Sequence, residues 1–342
     1  MSCGSKWNVP STAAYKIVRL ASGVHSVHSL AHRETFHPVI GPVAEAEALY
    51  VKQLRLPERM ASHTGEFIVW DVGLGAAANV LTVLRATRAA RCPLRVISFD
   101  HTLEPLKFAL EHATTLGYFT GYEAIVQTFL RDRECNFTDT DRAIHWQLHL
   151  GDFPAFLARQ STHESQTTQS PPSPPLGGGE GRGEVAPSGV RQPVAGDNIK
   201  PRENIALSTL NCSFPAPHAI LFDAFSPAKN PAMWTAPLFA SLFRHLDPSR
   251  PCALPTYSRS TMLRVSLLLA GFFVGAGHAT GEKEETTIAA NTLDLISEPL
   301  DQKWLQRARN STSAEPLWEP VYRQAPLSDE TWEKLRQHPQ FK

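Results

Sequence analysis

Short apolar runs alternate with helical stretches along most of the chain. The runs predict strands over residues 67–72, 94–99, 144–150 and 219–222. Between them, apolar positions recur at the three- and four-residue spacing that is typical of amphipathic helices. Strands that alternate with helices in this way predict an α/β fold, in which helices cover a parallel sheet.

The pattern changes in the last third of the chain. A proline-containing strand is predicted over residues 251–257 and a helix over residues 258–270. Two short glycine-containing strands follow, around residues 272–278 and 286–291. The predicted sheet therefore consists of parallel strands that end in an antiparallel pair.

Three segments fall outside this pattern. Residues 1–30 are predicted as a polar N-terminal extension, with a strand over residues 15–20. Residues 160–203 are rich in Pro, Gly and Ser and cannot bury enough apolar surface to offset the entropy of ordering them. We therefore predict a disordered insertion within a main domain of residues 31–297. Residues 298–342 are predicted as a C-terminal tail that is at most partly ordered.

Composition narrows the class of function. Lys and Arg together number 33, as do Asp and Glu, so no overall positive field indicates a nucleic-acid partner. The five cysteines include no CxxC pair, which argues against a zinc site and a disulfide framework. The sequence carries neither a signal-peptide pattern nor an apolar run long enough to span a bilayer. We expect a soluble cytoplasmic protein that has no metal ion and no membrane partner.

A glycine turn follows the first strand of the sheet. Gly73, Gly75 and Asn79 belong to the string GLGAAAN, which leads into a helix predicted over residues 80–90. Glycine lets the backbone turn sharply and approach a ligand closely. Strand, glycine turn and helix in this order predict the cofactor-binding start of a doubly wound fold. Ala77 replaces the third glycine of a dinucleotide site, which favours a nucleoside such as S-adenosylmethionine over a nicotinamide cofactor.

The next three strands of the sheet each end at an acid. Asp100 follows the second strand, where a carboxylate can accept both ribose hydroxyls of a nucleoside. Asp152 follows the third strand, where an acid would border the adenine in a class I methyltransferase arrangement, and Asp223 follows the fourth. Capping of the next helix is the competing role for each of these acids. Because the carboxyl ends of parallel strands meet at one edge of a sheet, the acids predict one ligand pocket.

Several longer strings resemble a known family. The most specific are ETFHP at residues 34–38 and FDAFSPAKNPAMW at residues 222–234. The others are VWDVGLGAAANVL at 69–81, LHLGD at 148–152, TYS at 256–258, LLAGFFVG at 268–275 and GEKEETTIA at 281–289. Together they resemble the methyltransferase domain of the MnmC-type tRNA 5-methylaminomethyl-2-thiouridine biosynthesis enzymes, in a free-standing form.

The resemblance implies a class I S-adenosylmethionine-dependent methyltransferase fold, with a Rossmann-like seven-stranded sheet. It also implies methyl transfer to the aminomethyl nitrogen of a 5-aminomethyl-(2-thio)uridine at the wobble position of tRNA. The chain has no second strand–GxGxxG–helix unit for a flavin. We therefore expect the methylation step alone, with a separate enzyme supplying the aminomethyl substrate.

The resemblance also implies roles for individual residues. Asp223 is the candidate that handles the amine, and Lys229 and Asn230 act beside it or contact the substrate. Implied substrate contacts are Pro227, Trp234 and Tyr257, although Trp234 alternatively packs in the core. Implied cofactor contacts are Gly73, Gly75, Asn79, Asp100, Asp152, Asp223, Glu34 and His37, the last two as part of a lid.

Two departures from the family pattern weaken these assignments. The family turn usually reads GFGTGxN, whereas this chain has Ala76 and Ala77, and an alanine fits the position of Ala77 if its φ is negative. The family often has Glu where this chain has Asp100. Two alternatives therefore stay open: a polyamine aminopropyltransferase-like enzyme, which carries a different acid-rich loop, and a degenerate binding module without turnover.

Overall fold

The runs predicted as strands pair with one another in the folded chain. The computed structural model describes residues 14–159, 214–281 and 284–342. The insertion predicted over residues 160–203 lies outside these described residues. The strands are β1 (Tyr15–Arg19), β2 (His25–Ser29), β3 (Glu34–Thr35), β4 (Phe67–Val72), β5 (Leu94–Asp100), β6 (Glu134–Asp139), β7 (Arg142–Leu150), β8 (Ala219–Phe222), β9 (Ala253–Thr256), β10 (Phe273–Gly277) and β11 (Thr286–Ala290).

Helices connect the strands of the main sheet and cover its two faces. Residues 153–159 are helical, and a π-helix spans Glu47–Lys52. The α-helices are Pro42–Ala46, Leu56–Ala61, Ala78–Ala86, Glu104–Glu111, Ala113–Leu116, Glu123–Asp132, Ala236–Arg244, Thr261–Ala270, Gln302–Arg309 and Asp329–Leu335. The 3-10 helices are Pro231–Trp234, Leu293–Leu295 and Pro339–Phe341.

The main sheet has the strand order β10-β11-β9-β8-β4-β5-β7-β6. β4 pairs in parallel with both β5 and β8, so the chain order reverses at β4. β11 is antiparallel to β9 and β10, as predicted for the end of the sheet. In such open sheets, ligands bind beyond the carboxyl ends of the strands at the point of reversal. From this topology, a ligand site is expected at the carboxyl ends of β4, β5 and β8.

The sheet has eight strands among the described residues, one more than the seven predicted. The additional strand is β6, which pairs antiparallel with β7 at the edge of the sheet. Its sequence, ECNFTD, alternates weakly because much of this edge strand is exposed to solvent. A pattern with so few apolar residues does not stand out in the sequence.

The main sheet lies between two layers of buried apolar side chains. β4 is buried along its whole length, and its side chains alternate between the layers: Phe67 and Val69 face one side, and Ile68 and Trp70 face the other. A strand that is buried on both faces is typical of a parallel sheet between helices. The site at the end of β4 therefore rests on a rigid scaffold.

The N-terminal strands form a separate three-stranded antiparallel sheet in the order β1-β2-β3. Its pairing of Ser29 with Glu34 joins the two sides of the boundary predicted at residue 30. Tyr15 packs its ring against Phe108, with 5.9 Å between ring centroids. Described residues on both sides of that boundary therefore belong to one folded unit.

The expectation that residues 298–342 are at most partly ordered is wrong. Trp304, Leu317 and Leu335 from this segment are buried in the same apolar layer as the helix Thr261–Ala270. The side-chain amide of Gln340 also donates to the carbonyl of Val274 and accepts from its N–H, at 2.7 and 2.8 Å. The segment therefore covers one face of the sheet and satisfies part of the exposed edge of β10.

Candidate active site

A cavity of about 660 Å³ opens at the carboxyl ends of β4, β5 and β8. This volume lies within the range of small-molecule sites. Most of the residues predicted from the sequence line it: Glu34, His37, Gly73, Gly75, Asn79, Asp100, Asp152, Asp223, Lys229, Asn230 and Tyr257. The predicted convergence of the strand-end acids on one pocket is therefore observed.

Both glycines of the turn have a positive φ, and each lies close to the end of a neighbouring strand. Gly73 has φ +94°, and a Cβ there would lie 2.6 Å from the backbone carbonyl oxygen of Asp223. Gly75 has φ +52°, and its N–H donates to Asp100 Oδ2 at 2.9 Å. The turn thus passes close to the end of β8 on one side and is bonded to the end of β5 on the other.

Ala77 has φ +60°, so it lacks the negative φ at which an alanine would fit this position without strain. It precedes the helix Ala78–Ala86 and is fully buried. The left-handed conformation costs an alanine roughly 1 kcal/mol. The surrounding fold thus imposes at Ala77 the backbone shape that a glycine would adopt without strain.

Asp223 is held by groups from several elements. Asn79 Nδ2 donates to its Oδ2 at 2.8 Å, and His37 Nε2 lies 3.5 Å from the same oxygen. Two tyrosine hydroxyls fix the backbone around it: Tyr50 donates to the carbonyl of Phe222 at 3.3 Å, and Tyr257 to that of Ala224 at 3.1 Å. This carboxylate is therefore fixed before any substrate arrives.

A second buried acid lies behind the cavity in the middle of the sheet. Asp71 of β4 accepts a hydrogen bond from Ser98 Oγ at 2.7 Å, and Ser98 Oγ accepts one from Trp146 Nε1 at 2.9 Å. Burial raises the pKa of Asp71 to about 7, although the bond from Ser98 opposes the shift. No pattern in the sequence marks Asp71 as a site residue, because it lies inside an apolar run.

The loop after Asp223 is tied to β3. The N–H of Ser226 donates to Glu34 Oε2 at 3.3 Å, and the Ser226 hydroxyl donates to the other oxygen of Glu34. His32 stacks on the ring of Phe225, with 4.2 Å between centroids and 15° between planes. Glu34 thus holds the loop that forms one side of the cavity. The rings of His32 and Phe225 line the cavity on the same side.

Two residues predicted to contact the substrate do not line the cavity. Trp234 is fully buried, packs edge-on against Phe222 and donates its indole N–H to the carbonyl of Phe225 at 2.7 Å. Pro227 belongs to the turn of the same loop and also stays outside the cavity lining. The prediction of a substrate contact is wrong for Trp234, since a fully buried ring supports the loop from below.

The remaining predicted residues have mixed roles. Asp152 lines the cavity and also caps a helix, since its Oδ1 accepts from the N–H of Ala155 at 2.7 Å. Lys229 is exposed at the cavity wall, and the N–H groups of Lys229 and Asn230 both donate to the carbonyl of Ser226 at 2.8 Å. The capping role predicted for Asp152 is therefore observed, and its place in the cavity wall leaves the cofactor contact a prediction.

Comparison with known proteins agrees with this architecture. Residues 204–292 match the family described as S-adenosyl-L-methionine-dependent methyltransferase. The solved structure of MnmC2 from Aquifex aeolicus superposes with a TM-score of 0.59 at 19% identity, covering 95% of this chain and 83% of that one. The chain has the class I methyltransferase fold.

Sequence relatives match a shorter part of this methyltransferase fold. The tRNA 5-methylaminomethyl-2-thiouridine biosynthesis bifunctional protein MnmC of Pseudomonas savastanoi pv. phaseolicola is 37% identical over 92 residues, 26% of this chain and 14% of that protein. The protein of the same name from Methylibium petroleiphilum is 34% identical over 99 residues, 29% of this chain and 14% of that protein. The match thus spans about a seventh of each relative, and the resemblance predicted from the sequence is confirmed.

The cavity of this methyltransferase fold is compatible with a nucleoside cofactor. The turn at Gly73 and Gly75 leaves room that a Cβ would fill, and the buried Asn79 Oδ1 has no hydrogen-bond partner among the described residues. Those residues contain no cluster of three or more His, Cys, Asp or Glu side chains that could hold a metal ion. In the same part of the chain, no helix is long and apolar enough to cross a bilayer.

Proposed function

We propose that the protein transfers a methyl group from S-adenosylmethionine to the aminomethyl nitrogen of a 5-aminomethyl-(2-thio)uridine at the wobble position of tRNA. The observation that carries the proposal is the position of Asp223. It lies on the loop that gave the most specific resemblance, and it faces the cavity beside the glycine turn. The likeness of residues 204–292 to the methyltransferase family supports the same conclusion.

The cofactor would lie across the ends of β4 and β5. Gly73 and Gly75 let the backbone approach it, and the carboxylate of Asp100 would accept hydrogen bonds from the ribose hydroxyls. Asp100 is already oriented by the N–H groups of Gly75 and Thr102, at 2.9 and 3.1 Å. Asp152, at the end of β7, would border the adenine. When bound, S-adenosylmethionine would supply a sulfonium methyl group: a neutral amine would form a bond to the methyl carbon as the carbon–sulfur bond breaks, and the sulfur would leave as the thioether of S-adenosylhomocysteine.

The residues of the chain would hold the amine and align it. Asp223 accepts a hydrogen bond from the substrate nitrogen and takes up one of its protons, which leaves the lone pair free to attack. Asn79 keeps the carboxylate in position through its 2.8 Å hydrogen bond. Alignment of the nitrogen with the methyl carbon supplies most of the catalysis in such a displacement.

The entrance of the cavity suits a nucleotide. Aromatic rings recognise unstacked bases of single-stranded RNA, and His32, Phe36 and Phe225 form an aromatic group on this wall. Arg33 and Lys229 are exposed beside it, where cationic side chains can contact phosphates. We propose that these five residues bind the anticodon nucleotide of tRNA, and that a separate enzyme prepares its aminomethyl group.

The proposal is tested by incubating the protein with labelled S-adenosylmethionine and tRNA from cells that lack the modification. Nucleoside analysis should then show labelled 5-methylaminomethyl-(2-thio)uridine. Asp223→Asn should lower kcat by roughly 10²- to 10⁴-fold while calorimetry still detects cofactor binding. Asp141→Asn, the same change at an exposed hairpin position, is the control. No methylated nucleoside with the unaltered protein would refute the function, and an active Asp223→Asn variant would refute the role of Asp223.

A further inference from the structure

His37 lies between two carboxylates in the wall of the cavity. Its Nε2 is 3.5 Å from Asp223 Oδ2, and its Nδ1 is 3.8 Å from Glu45 Oε1. All three side chains are largely buried, with 8%, 16% and 6% exposure for His37, Asp223 and Glu45. Two buried carboxylates that face one imidazole stabilise its protonated form.

The backbone of His37 has an uncommon conformation. His37 has φ +49°, a conformation that few residues other than glycine adopt. The preceding residue, Phe36, is fixed because its N–H donates to the carbonyl of Val27 at 2.8 Å and its carbonyl accepts from the hydroxyl of Ser26. Strain that the surrounding structure maintains at a ligand site points to a role for the residue.

Among the described residues, the cations Arg33 and Lys229 are exposed at the wall of the same cavity, whereas four titratable groups that interact with this cluster are acidic or neutral. They are Tyr50 from the π-helix, Tyr257 after β9, Asp71 of β4 and Glu34 of β3. Burial and the neighbouring carboxylates raise the pKa values of both tyrosines well above their usual value, so both stay neutral. His37 therefore supplies the positive charge at the centre of the cluster.

We propose that His37 is a positioning residue, a fixed cation that keeps Asp223 ionised and oriented for the substrate amine. With Glu45 as its second partner, the cluster carries a single net negative charge. A site of this charge matches one primary ammonium group, which Asp223 receives at the open side of the cavity. The proposal rests on the proposed function and names the charge of the group that the site accepts.

The acid–base behaviour of His37 agrees with this geometry. Burial acts to lower its pKa, but Asp223 and Glu45 outweigh burial and raise the pKa from 6.5 to about 9. Because the folded-state pKa is raised, the charged ring stabilises the fold fully below pH 6.5, and this contribution is lost as the pH rises through about 9. At neutral pH, His37 is a cation.

Two variants with opposite expected effects test the proposal through the pH dependence of kcat/KM. His37→Gln removes a cation 3.5 Å from Asp223, so the pKa of that carboxyl should rise. The acidic limb of the profile should then move upward by about one to three pH units. Glu45→Gln removes a negative charge from the same cluster, so this limb should move to lower pH.

Other outcomes would overturn the proposal. A purely structural role predicts that His37→Gln lowers kcat/KM equally at every pH, and that Glu45→Gln does the same. A downward shift for His37→Gln would contradict the proposed charge balance. Circular dichroism of each variant shows whether it has folded.

A measurement on the unaltered protein separates this proposal from the proposed function. In an NMR titration without substrate or cofactor, the ring signals of His37 should titrate near pH 9. In Glu45→Gln, the midpoint should fall. A midpoint near 6.5 in the unaltered protein would overturn the proposal even if methyl transfer is observed, and a midpoint near 9 would uphold the charged state of His37 even if it is not.

Discussion

Gly73 determines how closely the two halves of the site approach each other. With φ +94° it turns the chain directly after β4, and only hydrogen at its Cα leaves room for the carbonyl of Asp223. A side chain at this position would push the loop that carries Asp223 away from the glycine turn. The positions of the cofactor and of the amine are thus linked through one residue.

Gly73→Ala should therefore destabilise the fold and disable the site. The positive φ alone costs about 1–2 kcal/mol, and the contact at 2.6 Å with backbone adds to it. Gly65→Ala is a matched control, because Gly65 has φ +87° but a Cβ there meets nothing within 4 Å. Urea unfolding and calorimetry with S-adenosylmethionine should show a modest loss of stability in the control and a larger loss, with cofactor binding abolished, in Gly73→Ala. Equal effects of the two substitutions would show that the close contact is unimportant.

Residue positions near strand ends could be predicted from the sequence, whereas side-chain directions could not. Asp100, Asp152 and Asp223 meet because the parallel topology brings strand ends together. The direction of Trp234 depends on the conformation of its loop, which no local pattern encodes. The pairing of His37 with Glu45 was also missed, because it depends on a left-handed residue and a turn between the two.

The loop from Asp223 to Asn230 is held by contacts with two other elements, the 3-10 helix that follows it and the strand β3. Trp234, in the 3-10 helix that follows, donates its indole N–H to the carbonyl of Phe225. Glu34 of β3 holds the same loop by accepting two hydrogen bonds from Ser226. The specific FDAFSPAKNPAMW string thus combines residues that line the cavity with residues that support them.

Trp234→Phe should weaken substrate binding although the ring touches no ligand. The substitution leaves the Phe225 carbonyl without its indole donor, which costs about 1–3 kcal/mol. Trp146→Phe is the control, since it removes a buried indole N–H that donates to Ser98, away from the loop. Both variants should lose similar stability in urea, but only Trp234→Phe should raise the KM for tRNA, by roughly three- to tenfold. An equal rise in both variants would mean that general destabilisation explains the effect.

The strength of the apolar pattern decided which elements could be predicted. β4 and β8 are buried along their whole length and β5 along most of it, so their apolar character is continuous, whereas β7 shows a clear alternation of buried and more exposed residues. The positions of all four strands were predicted to within two residues. The edge strand β6 has a weak pattern and was missed. The regularity of the apolar pattern and the extent of burial, rather than strand length, thus distinguish the strands that were predicted from the one that was missed.

The C-terminal segment, residues 298–342, packs into the apolar core although its local sequence pattern is weak. Its buried residues are spread over short helices and turns from residue 300 to residue 341, so no window of the sequence has a clear period. They share one apolar cluster with residues of the helices Ala236–Arg244 and Thr261–Ala270, which lie far from them in the sequence. Tertiary packing therefore determines the structure of this segment.

If the segment is part of one cooperative unit, then removing a buried ring from it should destabilise the entire fold. Trp304 is 5% exposed and lies in the apolar layer beneath the sheet, whereas Trp318 is 47% exposed. Trp304→Ala should lower the free energy of unfolding by about 3–5 kcal/mol, and Trp318→Ala by about 0.5 kcal/mol. Urea unfolding followed by circular dichroism should show one transition, shifted to lower urea in Trp304→Ala.

A different result is expected if residues 298–342 form an independent appendage. Trp304→Ala would then produce an early transition of small amplitude, and the main transition would keep its midpoint. The contacts of Gln340 with the backbone of Val274 argue for the single transition, because unfolding of the segment would strip the edge strand β10 of these hydrogen bonds. Loss of the segment should thus propagate from β10 through β11 and β9 to β8, which carries Asp223 at its end.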